Sequence, residues 1–302
     1  MKQSFIEQYQ GNYGVVELCE CLGLSPSTYY RWNKSEPSQH KQDDEAFKCR
    51  ILELHKQAKG RYGHRPIYYH LEEEHMACGR DRTLRLMKEL GIEGIQKKAF
   101  KPMRGNQCHD FGYRPNLLKE LGNPSACDQV WVADTTFIAT EDGWMYLATV
   151  MDLYSRRILG WSLSWSNGAD LVCQAFKNAV ITRGTISKGI LHHSDRGSTY
   201  SSRKYQLLLE RHGIKQSMSA KGNCYDNAAM ESFYGRYKSS TVRGQCFDNE
   251  GAVQKNVFDD IEVFYNRFRK HASLGYKNPI QFEQQTAPPM GSSNNQACTT
   301  HN

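Results

Sequence analysis

One segment constrains this chain more than any other. Val130-Trp131-Val132-Ala133-Asp134-Thr135-Thr136-Phe137-Ile138 sets a single carboxylate inside a run of β-branched and aromatic residues. Such a run reads as a buried strand. An ionised carboxylate within it is costly unless a partner or a metal ion compensates it. The chain must therefore build a sheet around Asp134 and supply what that carboxylate needs. Asp142-Gly143 follows as a hairpin turn signal, and residues 144–150 and 157–164 supply two further strands. A helix is expected over 169–182, a short strand over 189–193 and a helix over 205–212. An extended run over 214–218 and a helix over 226–239 complete the pattern. The order β-β-β-α-β-α-β-α is that of an α/β domain with a mixed sheet.

Two more carboxylates fall where such a domain collects its chemistry. Asp195 ends the short strand and opens the turn Asp195-Arg196-Gly197-Ser198, and strand ends are where open α/β sheets gather ligand-binding residues. Glu231 lies on the last helix, with Asp226 or Asn227 placed to cap it. Lys238 follows two turns later on nearly the same face. Three carboxylates on separate elements, with no His/Cys ligand set, suit hard oxygen-preferring ions, Mg²⁺ or Mn²⁺. Two such ions about 3.5–4 Å apart can clamp the attacking and leaving oxygens of a phosphoryl transfer. Water or a DNA 3′-hydroxyl then attacks, and no covalent protein nucleophile is needed. Singly, each carboxylate also has an ordinary reading: Asp134 as a turn cap, Asp195 as the start of a β-turn, Glu231 as a solvated helix residue. Asp152, His193, Asn223 and Asp226 are candidates to support the site, and turn or capping roles account for them equally well.

The region before the sheet is helical. In residues 1–40, Val15, Val16, Leu18, Cys19 and Leu22 follow helical spacing, Gly23 stops the helix, and Ser25-Pro26 starts another. This is the pattern of a helix-turn-helix, and a plain αα-hairpin shares it. Residues 35–42, polar and containing Pro37, read as a linker. Residues 43–104 form a second unit of this kind. Its third helix, 81–90, carries Arg82, Arg85 and Lys88 on one side and Leu84, Met87 and Leu90 on the other. Such a helix can contact DNA, although a solvated charged face is the commoner fate of such runs. Lys97 and Lys98, with Lys101 and Arg104, form a basic connector suited to a DNA backbone. The α/β core is assigned to 125–245. A helical extension over 246–286 contains an amphipathic helix at 253–268, and the Pro/Ser/Asn/Thr-rich tail 287–302 is expected to be disordered.

Bulk properties exclude some classes. The net charge of +7 permits phosphate binding without demonstrating it. Ten cysteines are scattered with no CxxC pair, which points to reduced thiols rather than structural zinc. No apolar stretch approaches the roughly 18 residues of a membrane span, and the polar start does not read as a secretory signal. The expected location is the cytoplasm.

The segments Val130–Ile138, His192-His193-Ser194-Asp195-Arg196-Gly197-Ser198-Thr199-Tyr200 and Lys221-Gly222-Asn223-Cys224-Tyr225-Asp226-Asn227-Ala228-Ala229-Met230-Glu231-Ser232-Phe233 resemble the catalytic blocks of one family. It is the insertion-sequence-three family of bacterial transposases, in its second reading frame. The 35 residues between Asp195 and Glu231 match the spacing that family shares with retroviral integrases. Residues 61–94 resemble its inner helix-turn-helix, and Tyr265-Asn266 through His271, Leu274-Gly275-Tyr276 and Pro279 resemble its C-terminal signature.

The resemblance implies an RNase H-like mixed sheet flanked by helices and preceded by small all-helical units, with Asp134, Asp195 and Glu231 as ligands of two Mg²⁺ (or Mn²⁺) ions. It implies strand cleavage and transfer at the inverted-repeat ends of a mobile element, by way of an excised circle that later inserts elsewhere. Lys238 matches a basic residue placed to touch DNA phosphate. The implied partners are double-stranded DNA at the element ends and target, further copies of the chain on that DNA, and the upstream-frame protein of the same element. A nucleoid-associated location without membrane contact follows. The chain starts with its own methionine and has no sustained heptad repeat, so the downstream product alone is expected. Two other readings stay open here: a metal-dependent nuclease that does not join strands, and a catalytically silent regulator bound at element ends.

Overall fold

The computed structural model describes residues 2–33, 38–95, 113–186, 189–220, 227–242 and 245–286. Helices α1 (Lys2–Tyr9), α2 (Val15–Cys21) and α3 (Pro26–Asn33) enclose Ile6, Leu18, Cys19 and Tyr29. Val16, expected on the apolar face, is exposed instead. Helices α4 (Gln39–Gln57), α5 (His64–Glu73) and α6 (Arg80–Glu89) form the next unit around Ile51, Leu54, Ile67, Leu71, Leu86 and Met87. Helix α4 starts inside the segment read as a linker: Ser38 stands at its N-cap, one residue after Pro37, so the polar residues 39–42 form its first turn. Pro37 itself lies outside the described residues, as does the tail 287–302.

After the four-residue helix α7 (Leu118–Leu121) the sheet begins. Strands β1 (Val130–Thr140), β2 (Gly143–Asp152), β3 (Ile158–Ser164), β4 (Leu191–Ser194) and β5 (Lys215–Met218) pair in the order β3-β2-β1-β4-β5. The first three are antiparallel, and β4 and β5 run parallel to β1, which gives the mixed sheet expected. Between them lie α8 (Ala169–Arg183) and α9 (Arg203–Arg211), followed by α10 (Ala228–Tyr237).

The apolar run 130–133 is explained by burial on both sides of the sheet. Val130, Val132 and Ile138 face a core with Met230, Phe233, Tyr234 and Tyr237 of α10. Trp131 and Ala133 face a second core with Leu171 and Phe176 of α8 and Tyr205 of α9. Helix α8 sits so close to β3 that a Cβ on Gly160 would lie 2.3 Å from the Ala175 carbonyl oxygen, so only glycine fits.

The C-terminal extension runs through α11 (Glu250–Phe258), a π-helical stretch Asp259–Tyr265, a short 3₁₀ turn and α12 (Pro279–Thr286). The uniform amphipathic helix expected over 253–268 is thus widened in its second half, where Asp260, Ile261, Phe264 and Tyr265 are all buried. This stretch joins the sheet core to the α4–α6 unit. Arg61 meets Asp260 at 2.5 Å with both side chains buried, the Tyr62 hydroxyl donates to the Phe268 carbonyl at 2.9 Å, and Phe264 enters the α4–α6 core. Among the described residues no helix is long and apolar enough to cross a membrane, and the cysteines are free thiols.

Candidate active site

The site is created where the sheet opens. Strand β4 pairs with β1 only as far as Val132 opposite His193. Two residues later β1 presents Asp134, and β4 ends directly before Asp195. Glu231, in the first turn of α10, comes from the helix that covers this opening. The structure therefore brings Asp134, Asp195 and Glu231 together from three separate elements, at the kind of strand end where α/β sheets bind ligands.

Each aspartate is oriented by a local backbone donor. The Thr135 N–H donates to Asp134 Oδ1 at 2.8 Å, and the Gly197 N–H donates to Asp195 Oδ1 at 3.0 Å. A Cβ on Gly197 would stand 2.9 Å from that same oxygen, so any side chain there would push the carboxylate out of this orientation. Burial, and then the charges of Asp195 and Glu231, raise the Asp134 carboxyl well above the usual range, while the Thr135 N–H and Lys238 oppose that rise. Burial raises the Asp195 carboxyl as well, with the Gly197 N–H opposing. Like charges gathered at one strand end call for a cation. Lys238 answers in part: it stands at the C-cap of α10, half-buried, with its Nζ 4.0 Å from the Phe137 ring centroid and its charge drawn to Asp134.

An all-oxygen donor set with surplus negative charge fits Mg²⁺ or Mn²⁺. Their oxygens are not all within 4.8 Å of one another; among the described residues the trio that meets that distance is Cys127, Asp152 and Glu283. A set shared between two ions does not need such closeness. The Cys127 trio is held by a guanidinium instead. Arg183 reaches Glu283 at 2.6 Å, Asp128 at 2.8 Å and Asp152 at 3.8 Å, and burial pushes the Cys127 thiol up to about 12. Asp152 accepts the backbone N–H groups of Asp128 and Ser155, each at 2.7 Å, which is a turn-holding role. His193 is buried with its ring nitrogens 2.9 and 3.2 Å from the Ser217 and Ser219 hydroxyls, where it ties β4 to β5.

The candidate DNA-contacting residues divide. Arg82 donates to Asp44 at 2.8 Å and lies over the Phe47 ring, and Arg85 bonds both Asp44 and Glu89. The Arg85 hydrogen bond, followed by those of Arg82, holds the Asp44 carboxyl down at about 2. Both guanidiniums are thus engaged with α4, whereas Lys88 is exposed. Lys97, Lys98, Lys101, Arg104, Asn223 and Asp226 lie outside the described residues. Asn227 does stand at the N-cap of α10, yet its side chain makes no capping bond and donates to the Ala133 carbonyl at 3.2 Å. That contact and the Tyr234 hydroxyl beneath Asp134 had no signature in spacing, because each depends on a partner distant in sequence.

With this geometry in place, comparison with known proteins gives consistent matches. The integrase core domain family matches residues 124–224, with a second integrase core domain match at 212–279, and an HTH-like domain matches 41–100. The "Insertion element IS600 uncharacterized 31 kDa protein" of Shigella sonnei is 40% identical over 267 residues, covering 88% of this chain and 97% of that protein. "Transposase InsF for insertion sequence IS3A" of Escherichia coli (strain K12) is 33% identical over 285 residues, covering 94% and 98%. Among solved structures, the simian T-cell lymphotropic virus intasome aligns at a TM-score of 0.43 and 14% identity, over 83% of this chain and 80% of that one. The HTLV-2 integrase catalytic core domain aligns at 0.39 and 16%, over 53% and 98%. The RNase H-like α/β core with an N-terminal HTH-like domain agrees with the arrangement expected from sequence.

Proposed function

This chain belongs to the insertion-sequence-three family of transposases, and we propose that it cuts and joins DNA strands at the inverted-repeat ends of a bacterial insertion sequence. The observation that carries this reading is the meeting of Asp134, Asp195 and Glu231 where β4 parts from β1, each charge raising the cost of the next at Asp134. Asp134, Asp195 and Glu231 would hold divalent cations, two per site. Such ions, when bound, supply Lewis-acid stabilisation of the phosphate charge and lower the pKa of a bound nucleophile.

The remaining work belongs to the chain's own residues. The Thr135 and Gly197 N–H groups fix the two aspartates in the orientation they present to the cleft. Lys238, turned toward Asp134 along the Phe137 ring, is placed to meet a phosphate oxygen and to neutralise charge at the scissile position. With the carboxylates given to cations, the nucleophile is water in cleavage and a DNA 3′-hydroxyl in joining. The exposed Lys88 on α6 supplies a backbone contact away from the site, with Arg82 and Arg85 setting the pose of that helix. Two DNA ends must be held at once, so the chain acts as a homo-oligomer on double-stranded DNA, with the upstream-frame protein of the element as a further partner.

The test is an assay of the purified full chain with Mg²⁺ on DNA carrying the element's own ends. Nicked ends together with joined products support the reading; nicks that never become joined products would replace strand transfer with simple nuclease activity.

A further inference from the structure

The carbonyl groups of β1 face alternate sides of the strand. The Val130 carbonyl accepts from the Leu153 N–H on the β2 side, and the Gln129 carbonyl accepts from the Leu191 N–H on the β4 side. By the same alternation the Ala133 carbonyl faces β4, just past the point where pairing with β4 ends at Val132. The Asn227 side chain takes the vacated place and donates to that carbonyl at 3.2 Å. The next carbonyl, that of Asp134, points toward β2 and receives the Tyr234 hydroxyl at 2.8 Å.

Both donors sit on one helix. Asn227 begins α10, Glu231 follows one turn later, and Tyr234 lies three residues beyond it. The Tyr234 hydroxyl has one proton; its shorter acceptor is the Asp134 carbonyl at 2.8 Å, with the Leu147 carbonyl at 3.3 Å. With the proton on the Asp134 carbonyl, the Thr149 hydroxyl, 2.9 Å away, donates to the Tyr234 oxygen. Thr149 is the residue opposite Asp134 in the β1–β2 register. Thr149, Tyr234 and Asn227 are all buried.

We infer that Asn227 and Tyr234 are positioning residues which fasten the helix carrying Glu231 to the strand carrying Asp134, at two consecutive carbonyls, and so set the separation of these two metal-ligating carboxylates. The inference rests on the proposed role of Asp134, Asp195 and Glu231 as cation ligands. Tyr234 does not touch the reacting atoms; it acts through the backbone of Asp134. Partners behind metal ligands commonly govern metal affinity by about 10–100-fold, and a hydroxyl that pins the ligand's own carbonyl falls into that class.

The experiment compares wild type with Tyr234→Phe in the full chain, which deletes only the hydroxyl. Three quantities are read: Mn²⁺ binding, the Mg²⁺ concentration for half-maximal strand cleavage, and the thermal midpoint. The expected result is Mn²⁺ binding weakened by roughly tenfold. The Mg²⁺ requirement rises in parallel, and affinity for DNA is unchanged. Should Tyr234→Phe fail to fold, Thr149→Val carries the same test by removing the donor to the Tyr234 oxygen, with a smaller shift in the same direction. Mn²⁺ binding and a Mg²⁺ profile that superimpose on wild type, whatever the thermal midpoint, would overturn the inference and leave the triad intact. Absence of Mn²⁺ binding by wild type would instead remove the triad reading, and this inference with it.

Discussion

Arg61→Ala is the substitution whose cost can be worked most fully from the structure. Arg61 and Asp260 face each other with side chains only 5% and 6% exposed, so neither charge is screened by water. Removing the guanidinium leaves Asp260 with the Thr241 hydroxyl, 3.0 Å away, as its remaining side-chain bond. Stranding one partner of a buried ion pair costs about 3–5 kcal/mol, against about 0–1 kcal/mol for a surface pair. The guanidinium also lies 4.4 Å from the Phe264 ring centroid, a contact worth about 1 kcal/mol more. The expected loss is therefore about 4–6 kcal/mol, felt at the joint between the α4–α6 unit and the C-terminal extension. Replacing both partners, Arg61→Leu with Asp260→Leu, removes the stranded charge and recovers most of it. Urea denaturation of wild type, Arg61→Ala, the single variants Arg61→Leu and Asp260→Leu, and their double variant measures the loss and the coupling directly. A loss under about 1 kcal/mol in Arg61→Ala, or a double variant as poor as the sum of the singles, would refute the reasoning.

Three further outcomes are expected. Gly197→Ala drives a Cβ against Asp195 Oδ1, so strand cleavage should fall by about 10–100-fold with little change in the unfolding midpoint; undiminished cleavage would free Asp195 from that turn. His271 is held neutral, its pKa lowered to about 2 by burial and then by Arg269, Arg236 and Arg156. Its folded pKa lies below the ordinary 6.5, so its contribution is complete above about pH 6.5 and is lost as pH falls toward the folded value. The stability lost between pH 7.5 and pH 5 should accordingly be smaller in His271→Gln than in wild type, by roughly 1–2 kcal/mol, and identical losses would contradict a neutral buried ring. Lys88→Ala should reduce the slope of log K against log salt for DNA binding by about 0.9; an unchanged slope takes that face of α6 off the DNA.

Much of the sheet domain, and the placing of the candidate site on it, was legible from the chain. Asp134 stood out because a carboxylate in an apolar strand demands compensation, and the turn after β4 and the helix around Glu231 marked the other two carboxylates. The mixed sheet followed from the alternation of strand and helix signals. What stayed hidden depends on tertiary pairing. Arg82 and Arg85 share a basic face with Lys88 in any helical projection, yet Asp44, 38 and 41 residues away, claims both. Arg61 and Tyr62 sit in a basic, aromatic turn that invites a DNA reading. Their partners Asp260 and Phe268 are about two hundred residues on, and they make that turn a joint between helical unit and extension. Asn227 was legible as an N-cap position, but its side chain serves the strand left unpaired by β4. Nothing in local periodicity reports that a neighbouring strand has stopped.

The central claim is that Asp134, Asp195 and Glu231 act together on DNA through bound divalent cations. The most direct test compares wild type with Asp134→Asn and Glu231→Gln on DNA carrying the element's ends, with Mg²⁺ present and DNA affinity measured alongside. Each substitution keeps side-chain shape and removes one ligand charge. The account predicts cleaved and joined strands from wild type alone, with all three proteins binding the DNA equally well. Cleavage by either variant at the wild-type rate would contradict it.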